Sequence, residues 1–542
     1  MSALAVGLLV APTQPVRAVA AAAQQVRWTP CANGFQCANL AVPLDYDVPS
    51  GPKITVPVVK LPAGDPRRRI GSLFMNPGGP GGSGVDVVRA LGPFLPLELR
   101  GRFDIVGFDP RGILGTAPLR CFNTFDESLG ALAPFAFPYT TAEENTERSL
   151  DNALAHACAT HGGAILGHMS TADVARDMDS IRAAMGDARL NYLGFSYGSY
   201  LGQTYVNMFP GHARSIVIDG VLDPVAWSTG AGNEGRTLPV SARLRSDKGA
   251  QATLKEFFRL CDAARAPACS FAPNSAQRFA SLARLLRQGP LVIGQPPDTY
   301  TVTYADLVYT ALGSLYSPAA FPFLADALLD LESNAPVSKT LAAFSRLRSH
   351  LGLAQPQEEY PNVVEGGPSV LCSDSVNPTS FEAWRRAAVT TDRDNGYFGR
   401  PWLWISSICL PWPASAGQDR YLGPWNTRTR YPVLAVGNYY DPATRYQGAV
   451  KASRLLPNAG LLSYAGWGHT AFFLGNYCVD QRVTRYIVTT KLPPRGTVCQ
   501  PTSTPFEQLP AVAQQQARAQ QTMGVPLLSP EVLRDAMTPT RR

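Results

Sequence analysis

The sequence predicts an α/β protein, built on a mostly parallel sheet that a large, mainly helical lid interrupts between two late strands. Three observations predict it. Short apolar runs alternate with helix-periodic stretches as far as Pro224, the strand-helix-strand rhythm of a parallel sheet. From 225 to about 425 that rhythm gives way to helices and loops, and it resumes at Tyr431–Val436 and Gly460–Tyr464. The 542 residues, 45% apolar and only 16% charged, suffice for a large core.

In chain order, Ala3–Ala11 ("ALAVGLLVA") is apolar but too short to span a bilayer, and Ala18-Val19-Ala20 offers small residues for cleavage. Residues 1–24 are therefore expected to be a signal peptide, although a basic n-region is missing and no cysteine offers a lipid attachment point. Residues 25–224 form the first part of the core. Gln25–Leu61 reads as extended segments, with valines around Pro57 suited to early edge strands. Ser72–Met75 and Phe103–Phe108 are short strands. "TADVARDMDSIRAAMG" has apolar positions every three or four residues, and Thr171 or Asp173 is placed to cap its start. Tyr192–Leu193 is a strand, a helix follows to about Met208, and "RSIVIDGVLDP" is the next buried strand. Residues 225–425 form the lid, 426–500 return to the core, and 501–542 make a Gln-, Ala- and Pro-rich tail that looks peripheral. There is no internal repeat and no other apolar run of membrane-spanning length.

The formal charge of +7 carries little information about partners. Only seven of the 48 basic residues are lysine, and no basic run or basic-aromatic pattern suggests nucleic-acid binding. The ten cysteines lack C-x-x-C spacing and any histidine set at zinc-site spacing. Disulfides in an exported protein are the expected use. Sequence alone does not choose the connectivity. Neighbour pairing (Cys31 with Cys37, Cys121 with Cys158, Cys261 with Cys269, Cys372 with Cys409, Cys478 with Cys499) keeps each loop local.

The chemistry is concentrated around "NYLGFSYGSYLG". Gly194-Phe195-Ser196-Tyr197-Gly198 fits G-x-S-x-G, in which a strained strand-to-helix turn lifts the serine hydroxyl clear of the backbone. If Ser196 is a nucleophile on a parallel sheet, an acid and then a histidine must follow it. Of six histidines, His156, His161 and His168 precede the serine, His212 directly follows its helix, and His350 lies inside the lid. His469, in "YAGWGHTAFF" after a late strand, remains. Asp441 follows "VLAVGNYY" and precedes Pro442, at a strand's carboxyl end, where it would hold the imidazole tautomer. Asp219 and Asp223 are the fallback acids. The oxyanion site needs two N–H groups, one from Tyr197 and one from the early loop "NPGGPGGSG", where Gly78 and Gly79 let the backbone approach the substrate. That loop lacks the lysine of a phosphate-binding loop and the spacing of a dinucleotide fingerprint.

The ordered set "WTPC", "LAVPLDYDVP", "NPGGPGGSG", "FDIVGFDPRG", "YLGFSYG", "YDPAT" and "GWGHT" resembles the secreted actinobacterial tripeptidyl aminopeptidase family, α/β-hydrolases related to proline iminopeptidase. The resemblance runs from about Trp28 to Cys499. It implies an α/β-hydrolase fold, Ser196, Asp441 and His469 as a triad, and Gly78, Gly79 and Tyr197 around the oxyanion hole. It also implies a lid and cleavage of peptides from a free N-terminus. Two departures stand out: "ILGTAP" (Ile113–Pro118) where many relatives carry a V-G-x-S-like turn, and the tail after Cys499.

An exopeptidase needs a carboxylate for the substrate ammonium at a fixed distance from the serine. The lid offers Glu358, Glu359, Glu365 and Asp374, of which Asp374 and Glu365 are the preferred candidates, and Trp402, Trp404 and Trp412 as pocket walls. The sequence reading is thus a monomeric, secreted serine exopeptidase acting through an acyl-enzyme on peptides with a free N-terminus, with no metal or other cofactor. A carboxylesterase or lipase on the same triad and a catalytically silent binding protein are the alternatives.

Overall fold

The computed structural model describes residues 26–295, 298–333 and 360–507. The stretch read as a signal peptide, Glu358, Glu359, His350 and the tail from 508 lie outside them.

A 10-stranded sheet organises the chain in the order β1-β2-β3-β5-β4-β6-β7-β10-β11-β12. The strands are β1 (Thr29–Pro30), β2 (Gln36–Pro43), β3 (Lys53–Leu61), β4 (Gly71–Asn76), β5 (Phe103–Phe108), β6 (Leu190–Phe195), β7 (Ala213–Asp219), β10 (Val433–Tyr440), β11 (Gly460–Trp467) and β12 (Val498–Cys499). From β5 onward every pairing is parallel, whereas β1, β2 and β3 add antiparallel strands at one side. β3 is not an edge strand as expected from Pro57, because it pairs with both β2 and β5. Its pairing to β5 spans only Val58 to Leu61, so the proline, which has no N–H to donate, falls outside that ladder.

β6 is buried at all six positions, and its side chains alternate between two cores. Leu193 and Phe195 join Val87, Val88 and Leu91 of the helix Gly84–Leu91 and Val483, Tyr486 and Ile487 of the helix Tyr477–Thr489. Leu190 and Tyr192 face Val174, Met178 and Ile181 of the helix Thr171–Ala184, and Leu201, Tyr205 and Val206 of the helix Tyr197–Met208. Each such fully buried aliphatic side chain contributes about 1.5–3 kcal/mol, so the sheet is a rigid platform for its loops. The helix Thr171–Ala184 is capped by neither Thr171 nor Asp173: the Ser170 hydroxyl accepts from Asp173 N at 3.2 Å, which leaves Thr171 free for a longer-range partner.

The insertion lies between β7 and β10. It is mainly helical, but it also contains an antiparallel hairpin, β8 (Leu291–Gln295) with β9 (Asp298–Val302), that the reading of helices and loops missed. The helices Ser246–Ala264, Ser275–Gln288, Tyr304–Leu315 and Phe321–Glu332 share one core around Phe257, Phe279 and Phe321. Phe506, at the start of the tail, packs into it at 5.9 Å from Phe257, so this part of the tail is not peripheral. All ten cysteines are paired, each with its neighbour in sequence. Among the described residues no helix is long and apolar enough to cross a membrane.

Candidate active site

β6 delivers Ser196 to the carboxyl edge of the sheet in a backbone conformation rare for a non-glycine residue, φ 57° and ψ −123°. Such positions store on the order of 1–3 kcal/mol and persist only where surroundings over-determine them. Here the constraints are visible. The Ser196 N–H donates to the Asp219 carbonyl at 2.8 Å, and a Cβ on Gly198 would lie 2.7 Å from Asn76 Oδ1 and 2.9 Å from the Asn76 carbonyl. Only glycine lets the helix Tyr197–Met208 start this close to the end of β4.

The glycine loop sits directly against the serine. Gly78 has φ +96°, and a Cβ there would lie 2.5 Å from the Phe195 carbonyl and 2.8 Å from Ser196 Cβ. Its N–H, however, donates to Asn76 Oδ1 at 3.0 Å, so Gly78 supplies close approach rather than an open donor. Among the described residues no acceptor faces the Gly79 N–H, and Tyr197, as the first residue of its helix, has no intrahelical acceptor.

Asp441 follows β10 and is buried. Oδ1 accepts from Ala443 N and Thr444 N, both at 2.8 Å, while Oδ2 accepts from the Thr444 hydroxyl at 2.8 Å and from Thr470 N at 3.3 Å. Both oxygens lie 3.0 Å from His469 Nδ1. A carboxylate saturated with donors stays an acceptor toward the ring, so Nδ1 carries the proton and Nε2 keeps its lone pair. His469 follows β11 and is also buried. Its N–H donates to the Tyr316 carbonyl at 2.8 Å, and the Tyr316 ring stands edge-on at 5.2 Å. Tyr316 comes from the lid, where nothing in the sequence singled it out. Thr444 was legible in principle, as a hydroxyl three residues after the acid.

The fallback acids have other duties. Asp223 caps the short helix Pro224–Ser228 and binds Lys451 Nζ at 2.7 Å. Asp219 accepts backbone N–H groups of Ala471 and Phe472.

The lid candidates separate by their partners. Asp374 is buried, with Oδ1 accepting from Thr171 N at 2.8 Å and Oδ2 from the Thr171 hydroxyl at 2.5 Å and Trp227 Nε1 at 3.2 Å. The same Thr171 hydroxyl makes a short hydrogen bond with Tyr197 Oη. Asp374 thus braces the residue after Ser196 and has little capacity left for an ammonium, contrary to the expectation. Glu365 is fully buried at the start of the helix Gly366–Asp374. Oε1 accepts from Tyr360 Oη at 2.6 Å and Oε2 has no partner among the described residues. Two residues on, Gly367 abuts the glycine loop, since a Cβ there would lie 2.8 Å from the Pro80 carbonyl. Trp402, Trp404 and Trp412 do not form one wall: they pack against three separate hydrophobic clusters. Tyr197 and Tyr200 of the serine's helix instead pack against Trp227, at 5.6 and 5.5 Å between centroids, and Tyr200 against Trp425 at 5.2 Å.

One metal-type grouping occurs among the described residues, His168, Asp173 and Asp419. Its members satisfy one another and Arg176, with His168 Nδ1 3.0 Å from Asp419 and Arg176 2.8 Å from Asp173.

Burial pushes the Asp219 carboxyl up to about 7, against the opposing backbone bonds from Phe472 and Ala471, and pushes Asp374 up to about 6 against its Thr171 and Trp227 donors. A carboxyl whose folded pKa lies above its unfolded value near 4 stabilises the fold at low pH, and the effect is lost as pH rises through the folded pKa. The urea midpoint is therefore expected to fall between pH 5 and pH 8, and Asp374→Asn to flatten that slope. A midpoint that rises over the same range contradicts it.

A serine after β6, a carboxylate after β10 and a histidine after β11 follow the order in which α/β-hydrolases carry their reacting groups, and the chain is a serine hydrolase of that fold. The family model described as alpha/beta hydrolase fold matches residues 71–254, and the one described as TAP-like protein matches residues 395–499. Serine protease Hip1 of Mycobacterium tuberculosis is 30% identical over 508 residues, 88% of this chain and 91% of that protein. Carboxylesterase B of the same organism is 33% identical over 86% of each chain. Tripeptidyl aminopeptidase of Streptomyces lividans is 29% identical over 90% of this chain and 89% of its own. The chain belongs to the tripeptidyl aminopeptidase family of α/β-hydrolases.

Proposed function

We propose that the protein is an exported serine exopeptidase that releases short peptides, tripeptides first among them, from free N-termini. The observation that carries the reading is the His469 imidazole bonded through Nδ1 to both oxygens of buried Asp441, on a chain whose Ser196 sits at φ 57°. In this reading His469 Nε2 takes the Ser196 proton as Oγ attacks the scissile carbonyl. The Tyr197 and Gly79 N–H groups stabilise the oxyanion, and the imidazolium then protonates the leaving amine. Water, deprotonated by the same nitrogen, releases the acyl group. Asp441 accepts from Nδ1 and holds the ring.

Exopeptidase rather than esterase action is supported by Glu365. Burial pushes this carboxyl up, and Oε2 is unpaired among the described residues. A substrate ammonium that reaches that oxygen pairs it and offsets the cost of burying it. The relatives named serine protease and tripeptidyl aminopeptidase point the same way, and five paired disulfides suit export. The carboxylesterase reading keeps one specific support, the 33% identity to carboxylesterase B.

Matched one-, two- and three-residue p-nitroanilides, each with a free and an acetylated amine, decide between them. Turnover is expected to peak at three residues and to collapse on acetylation. Glu365→Gln is expected to raise KM for free-amine substrates about 10- to 100-fold, the value of a charge-assisted bond in a buried site, while leaving a simple ester unaffected. Indifference to the amine combined with fast ester turnover moves the protein to the esterase reading.

A further inference from the structure

Asp219, the last residue of β7, is occupied on two sides. Its backbone carbonyl accepts the Ser196 N–H at 2.8 Å. Its fully buried carboxylate accepts from Ala471 N at 3.0 Å to each oxygen and from Phe472 N at 2.7 Å. Those two amides belong to the loop that carries His469, whose backbone is itself forced, with φ +68° at Thr470 and +75° at Phe473. Gly220 follows with φ +65°, and a Cβ there would lie 3.3 Å from His469 Cε1 and 3.0 Å from the Thr444 hydroxyl.

The sheet order explains why such a residue is needed. β7 and β10 lie between β6, which ends at the serine, and β11, which precedes the histidine. Three strand spacings amount to about 14 Å, so the His469 loop must reach across β10 to meet Ser196. Asn438, Tyr440 and Asp441 hold the loop on the β10 side, and among the described residues Asp219 alone ties it on by hydrogen bonds to β7, the neighbour of the serine's strand. β7 is the strand that pairs with β6 (Phe195 opposite Asp219) and with β10 (Val436 opposite Asp219), so its terminal residue can hold both sides.

We propose that Asp219 is a positioning residue for the reaction, tying nucleophile and base to a single Cα. It acts by accepting hydrogen bonds, since its oxygens are engaged with backbone amides and not with the imidazole. This rests on the assignment of Ser196, Asp441 and His469 as the reacting groups.

The test compares Asp219→Ala and Asp219→Asn with wild type, and uses Ser196→Ala as control. It measures kcat and KM on a p-nitrophenyl ester, which either hydrolase reading cleaves, and the rate at which a fluorophosphonate labels Ser196. Asp219→Ala is expected to lower kcat by about 100-fold, the cost of a misplacement near 1 Å, with KM within about twofold and labelling slowed in proportion. Asp219→Asn keeps an acceptor oxygen and is expected to stay about 3- to 10-fold below wild type, roughly one hydrogen bond. Wild-type kcat in either variant overturns the proposal, as does an asparagine variant no better than alanine, or a loss confined to KM. If the alanine variant does not fold, the asparagine variant decides by the same kcat criterion. Turnover persisting in Ser196→Ala means that the triad assignment, not the role of Asp219, has failed.

Discussion

Ser196→Ala is expected to abolish turnover, leaving at most about 1% of wild-type kcat, with the fold intact and fluorophosphonate labelling lost. The argument is chemical as well as positional. The serine alone stands at the carboxyl end of β6 with its backbone strained to φ 57°, and no neighbouring hydroxyl takes its place. Ser199, the nearest serine in sequence, spends its Oγ on Leu222 N at 2.9 Å and is buried. Removing the Oγ deletes one small polar atom, so the melting temperature is expected to move little. What survives is the catalysis of oxyanion stabilisation and substrate binding, on the order of 10³–10⁴-fold over water in serine hydrolases generally. Activity above about 1% in a purified variant contradicts the assignment.

Asp441→Asn is expected to lower kcat by about 10³–10⁴-fold while leaving KM near wild type. Asp441 accepts from five donors: Ala443 N, Thr444 N, the Thr444 hydroxyl, Thr470 N and His469 Nδ1. An amide turns one of the two acceptors into a donor. The backbone amides of Ala443 and Thr444 bind the remaining oxygen, so the new NH₂ faces His469 and favours the tautomer that carries its proton on Nε2. That nitrogen then has no lone pair for the serine proton. Because the defect lies in the tautomer, alkaline pH does not restore it. A variant with wild-type kcat would show that the imidazole is oriented by another group.

The parts of this architecture written as local pattern were legible in the sequence. The strand at Phe103–Phe108 and most of β11, read as Gly460–Tyr464, are apolar runs with turn residues at their ends, and the placing of His469 just after a late strand needed only chain order. What depended on tertiary partners was not legible. Asp374 and Glu365 are both lid carboxylates near Cys372, and only their partners separate them: Thr171 and Trp227 saturate one, while the other keeps an unpaired oxygen. Gly78 and Gly79 are adjacent and alike in sequence, yet the Asn76 side chain occupies the N–H of the first. The tryptophans misled because aromatic residues fill cores as readily as pockets. The hairpin β8–β9 was the avoidable miss, since "LVIGQPPDTYTV" has Pro-Pro-Asp between two alternating runs.

The lid is attached unevenly. Residues 360–376 are bound into the core at several points. Asn362 Nδ2 donates to the carbonyls of Gly112 at 2.7 Å and Leu119 at 2.9 Å, Gly367 abuts Pro80, and Asp374 holds Thr171. The helices Ser275–Gln288, Tyr304–Leu315 and Phe321–Glu332 instead bury their apolar faces largely against one another. The two halves therefore differ in how far a substitution spreads: one at Gly367 or Asp374 reaches the glycine loop or Thr171 directly. The second half touches the site at Tyr316, whose carbonyl accepts the His469 N–H, so a chimaera that exchanges 275–333 between relatives must keep that contact if the histidine loop is to hold its position.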